Sequence, residues 1–80
     1  MIEMSDRVRN QIELWFSDDP NNTIYYGKGM NVSCKLGFIY IYELDDEWFD
    51  VFLTGSGNTT FYKCDQLDGL KKLLEDLGII

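Results

Sequence analysis

The chain has 80 residues, 45% of them hydrophobic and 15% aromatic, with 14 acidic against 7 basic side chains and a net charge of −7. One domain spanning 1–80 is all this length supports, and a chain so short buries only about 60% of the surface it exposes when unfolded. Its acidity repels phosphate, which argues against direct binding to nucleic acid and to anionic membranes and favours a basic protein partner.

The opening stretch, MIEMSDRVRNQIELWFSDD, has no basic leader followed by an apolar run, and this predicts a cytoplasmic protein. Met4, Val8, Ile12, Trp15 and Phe16 recur every three or four residues, so they share one face of a helix. Glu3 with Arg7, and Arg9 with Glu13, are placed to pair along that helix. Asp65 is the expected N-cap of a second helix, with Asp68 in its first turn; Leu67, Leu70, Leu74 and Leu77 form its apolar face and Gly78 its stop.

Between the helices the pattern changes from helical to alternating. SDDPNNT ends the first helix, because the residue before Pro20 is driven out of helical geometry. TIYYGKGMNVSC reads as strand, glycine turn, strand, although it does not settle whether the strands near 23–26 and 31–35 join the main sheet. GFIYIYEL (37–44) and WFDVFLT (48–54) are the strongest strands; GSGN (55–58) turns the chain into TTFYKC (59–64). The predicted class is α+β: an N-terminal helix, three to five antiparallel strands and a C-terminal helix, with both helices on one sheet face.

Parity fixes the expected register of the central hairpin. With Asp45, Asp46 and Glu47 as a three-residue loop, Leu44 opposes Trp48, and Ile39, Ile41, Phe49, Val51 and Leu53 share a face with Glu43. Phe38, Tyr40, Tyr42, Trp48, Asp50 and Phe52 take the other. A two-residue loop would set Asp50 among the isoleucines, an unpaired carboxylate in an apolar layer, so the odd loop is favoured.

Few motifs carry chemistry. The chain has no histidine, and it contains neither a nucleophile elbow nor a Cys–His arrangement, so enzymatic activity is not expected. Cys34 and Cys64 read as reduced thiols in that compartment. ELDDEWFD lacks the glycine and the ligand spacing of a calcium loop, GKG and GSGN are too short for phosphate-binding fingerprints, and no metal or cofactor is expected.

What stands out is YELDDEWFD (42–50), where Glu43, Asp45, Asp46, Glu47 and Asp50 crowd beside Tyr42, Trp48 and Phe49, with no lysine or arginine between Lys35 and Lys63. Carboxylates in such a row can stand in loosely for a phosphate backbone before a basic groove, with Tyr42 and Trp48 as anchors. A solvated, soluble hairpin tip explains the same residues more blandly. In size, charge, lack of catalytic residues and this acidic–aromatic stretch, the chain resembles the small acidic inhibitors of phages and mobile elements, among them anti-CRISPR proteins and DNA mimics. That resemblance implies cofactor-free, stoichiometric blockade of a CRISPR effector or other nuclease of a bacterial host. An alternative is a structural or regulatory module that homodimerises through an aromatic sheet face containing Tyr40 and Phe52.

Overall fold

The structure, a computed structural model, describes residues 3–80; of the side chains in that range, only Asp46 lies outside the description. Helix α1 (Asp6–Ser17) is followed by strands β1 (Thr23–Tyr26), β2 (Met30–Cys34), β3 (Gly37–Glu43), β4 (Trp48–Gly55) and β5 (Asn58–Asp65), and helix α2 (Gln66–Asp76) closes the chain. All five strands form one antiparallel sheet in the order β1-β2-β3-β4-β5. The two short strands left open by sequence therefore belong to the main sheet.

The core is a single layer between the sheet and both helices. Val8, Ile12 and Phe16 of α1 and Leu70 and Leu74 of α2 join Met30, Val32, Ile39, Ile41, Phe49 and Val51 in one buried cluster. Each such side chain contributes on the order of 1.5–3 kcal/mol by leaving water. Trp15, Leu67 and Leu77 pack at its margin. Both helices lie on one face, as the apolar periodicities require.

The β3–β4 register follows the parity argument: Tyr42 pairs with Asp50, Glu43 with Phe49 and Tyr40 with Phe52. Asp45–Glu47 form a single 3-10 turn, closed by the Leu44 N–H donating to the Trp48 carbonyl at 2.7 Å. Ser56 and Gly57, both at positive φ, make the tight turn of the β4–β5 hairpin.

Helix ends differ from expectation in one case. Gly78 takes φ +75°, its N–H bonds the Glu75 carbonyl and the Ile79 N–H bonds Leu74, the glycine stop read from sequence. Asp65 does precede α2, but its side chain makes no capping bond; the chain enters the helix through Gln66 at φ +65°. The intrahelical pairs on α1 also give way to tertiary ones. Arg9 donates to the carbonyls of Gly27, at 3.0 Å, and Gly29, at 3.4 Å. Glu13 instead accepts the Tyr26 hydroxyl at 2.6 Å. A side chain on Gly29 would collide with the Ile41 carbonyl, so glycine lets this turn lie against β3.

Cys34 and Cys64 are both free thiols, and two strands separate theirs in the sheet; Cys34 pairs with Gly37 at one end of β3, whereas Cys64 pairs with Phe49, which faces Glu43 at the other end.

The Tyr26–Glu13 bond sets a pH signature. Bonding to Glu13 holds the Tyr26 hydroxyl above the ordinary tyrosine value of 10.0, helped by desolvation and the Glu13 charge and opposed by Arg9. A raised folded value means that the bond stabilises the fold below the unfolded tyrosine range and is lost as pH rises through the folded value. Ultraviolet titration is expected to show the Tyr26 phenol titrating late, and Glu13→Ala, which removes the acceptor, is expected to bring it back down.

Candidate functional site

The sequence singled out five carboxylates as one array; the fold divides them. Glu43 points to the helix side of the sheet, is only 7% exposed, and its Oε1 accepts the Ser5 N–H at 3.0 Å. Ser5 is the residue before α1, so Glu43 satisfies a free N–H at the helix start from a strand 38 residues away. It is a structural acceptor and stands apart from the surface formed by the others.

Glu47 is tied to Arg7 of α1 at 2.9 Å, an exposed pair. Its backbone sits at φ +61°, the left-handed position that closes a three-residue hairpin and that normally falls to glycine. Asp45 is exposed on the same turn. Asp46 occupies the middle of the turn, and its side chain lies outside the described ones. Asp50 lies on the outer sheet face opposite Lys63, whose Nζ is 4.0 Å from Oδ1; that oxygen is buried without a hydrogen-bond partner. The stretch that has no internal base is therefore answered by two distant ones, Arg7 and Lys63.

The aromatic residues meet their expected places more closely. With no described helix on the outer face, the register lays Tyr25, Asn31, Tyr40, Phe52 and Phe61 in a row across all five strands. Phe52 is the hub of this layer, its ring 5.0 Å from Phe61 and 6.1 Å from Tyr42, centroid to centroid. Phe38 stacks beside Tyr40 at 6.4 Å. Tyr40, Tyr42 and Phe52 are half-buried by their neighbours, whereas Phe38 is 43% and Phe61 52% exposed.

Trp48 stands where this layer meets the acidic turn. It is 39% exposed, it pairs across the strands with Asp65, and Lys63 lies over its ring at 6.0 Å. Leu44, Asp45, Trp48 and Lys63 line a shallow open depression at this corner. A second depression on the helix side of the same end is lined by Arg7, Glu47, Gln66, Leu67 and Asp68. Among the described residues, two of the three non-glycine ones at positive φ, Glu47 and Gln66, thus converge on one end of the molecule.

Asp65 and Asp68 join the acidic end only through the fold; their distance in sequence from the hairpin hid them. Among the described residues, no group of three His, Cys, Asp or Glu is placed to hold a metal ion. Burial pushes the Cys64 thiol above its ordinary value, away from the reactive thiolate. No described helix is long and apolar enough to cross a membrane. No protein-family model matches the chain, and no curated protein and no solved structure matches it.

Replacing Glu47 separates turn strain from the ion pair, because both Glu47→Gly and Glu47→Ala remove the bond to Arg7. Glycine alone relieves the left-handed backbone, so Glu47→Gly is expected to be more stable than Glu47→Ala by about 1 kcal/mol in denaturant unfolding.

Proposed function

We propose that this protein is a non-enzymatic, acidic binding protein that occupies the basic nucleic-acid-binding surface of another protein, in the manner of anti-CRISPR and DNA-mimic inhibitors. The observation that carries the reading is the corner at Trp48, where an uncovered aromatic layer runs directly into exposed acids. Charge alone gives attraction and a fast encounter; a large aromatic side chain that can be desolvated supplies the anchor that holds the complex. Tyr42 and Trp48 take the anchor role, with Asp45, Asp46, Glu47 and Asp50 as the charged contacts, and Asp65 and Asp68 extend that charge along the same end. A nuclease of a bacterial defence system, a CRISPR effector among them, presents the matching basic channel, and the inhibitor would need no cofactor.

A second reading, self-association through the aromatic face at Tyr40 and Phe52, draws on the exposure of Phe38 and Phe61 there. It has to press two faces of net-acidic molecules together, whereas a basic partner is drawn in by the same charge.

The test is capture of nucleic-acid-binding proteins from a bacterial lysate on the immobilised domain, with elution by added DNA and by salt. We expect a basic nuclease to be retained, displaced by DNA, released by moderate salt, and lost to the double variant Asp45→Lys/Asp46→Lys. Retention that neither DNA nor salt disturbs, and that survives the double variant, would falsify nucleic-acid mimicry.

A further inference from the structure

The two edges of the sheet are unequal. β1 is four residues long, and α1 reaches its neighbourhood through the Tyr26–Glu13 bond and the Arg9 contacts to the β1–β2 turn. β5 is eight residues long, and most of its residues are exposed. Because the Leu44 N–H bonds Trp48, β4 turns the backbone groups of its even-numbered residues toward β3 and those of its odd-numbered residues toward β5. The same alternation sends the N–H and carbonyl groups of Thr59, Phe61 and Lys63 out from the open edge of β5. A long edge of threonine and aromatic residues, with neither proline nor bulge, is a template for another strand, and folded proteins normally blunt or cover such an edge.

We propose that the β5 edge is covered by the β5 edge of a second copy of this chain, joining two sheets antiparallel into one of ten strands. Three features select a second copy as the occupant. Asn58 to Cys64 carry no carboxylate, in a chain with 14 acidic residues, so two copies of this strand can meet without opposing acids. A two-fold axis through Phe61 sets Phe61 against Phe61 of the second copy and Thr59 against Lys63 of the second copy. The aromatic run of Tyr40, Phe52 and Phe61 then continues across the seam into that of the second copy, and no like charges oppose each other. Beside the edge, α2 presents Gly69, Lys72 and Asp76 along an open groove next to Tyr62. Lys72 and Asp76 lie one turn apart, so the same axis brings Lys72 of each copy toward Asp76 of the other, and Gly69 leaves room for the approach.

The two copies bring two net charges of −7 together, with repulsion acting over a distance while the seam itself is neutral or attractive. Salt screens that repulsion, so the dimer tightens as salt rises. Binding to a basic partner responds in the opposite direction, which keeps the two proposals separable.

Sedimentation equilibrium of the purified chain across concentration and salt is the experiment. The expected result is reversible association to twice the 9.4 kDa chain mass, shifted to lower concentration by salt. Thr59→Pro removes an N–H that the monomer does not use, and Phe61→Lys sets two like charges on the axis; each is expected to abolish the dimer while circular dichroism stays unchanged. Tyr40→Lys, on the outer face away from the edge, is expected to leave it intact. A wild-type chain that stays monomeric at every concentration overturns the proposal. So does a dimer lost in Tyr40→Lys but kept in Thr59→Pro, which would place the contact on the aromatic face.

Discussion

The hydrogen bond from the Ser5 N–H to Glu43 is the joint on which the arrangement depends. A carboxylate that is 7% exposed is tolerable only with a donor in reach, and the start of α1 supplies one, together with the favourable end of the helix dipole. That link seats α1 over the β2–β3 half of the sheet, where the Met4 N–H meets the Lys28 carbonyl at 2.9 Å and Arg9 reaches the turn beyond. It also locks the hairpin, because slipping β3 by one residue would turn Glu43 to solvent and Tyr42 into the core. A charge-assisted bond of this kind contributes about 1.5–3 kcal/mol, a large share for a domain of this size.

Much of the fold was legible because it rests on periodicity. The three- and four-residue spacings of α1 and α2 and the alternation in β3 and β4 each name a face, and only one hairpin register keeps Asp50 away from the isoleucines. The local charge pairs were not legible in the same way. Arg9 lies four residues before Glu13, yet each finds a better partner off the helix: backbone carbonyls for one, a phenol for the other. An exposed pair along a helix is worth only a few tenths of a kcal/mol, so any tertiary contact with better geometry displaces it. The pair between Arg7 and Glu47 spans 40 residues and leaves no mark in local pattern.

The acidic stretch illustrates the same division. Read in line, its carboxylates look like one array; on alternating faces of a strand they cannot be. Glu43 and Asp50 point to opposite sides of the sheet, and the intervening turn carries the remainder. Sequence could name the stretch but not separate the carboxylate that builds the molecule from those that face outward. That separation needed the partners of Glu43, Glu47 and Asp50, namely Ser5, Arg7 and Lys63, and all three lie outside the stretch.

Why the outer face should be aromatic follows from its lying away from both helices. Two short helices cover one side of a five-stranded sheet, and no described helix covers the other. Aliphatic side chains there would be left to water with nothing gained. Large rings instead shield one another, as Phe52 is shielded between Tyr42 and Phe61, and tyrosine hydroxyls keep contact with solvent. The layer is therefore stable when bare, yet it still offers exposed ring area at Trp48 and Phe61. Those two residues lie at different margins: Trp48 against the acids, Phe61 along the open strand. The layer is thus self-supporting at its centre and bare at two margins of different charge, and the two contacts proposed above, to a basic protein and to a second copy, each draw on one of them.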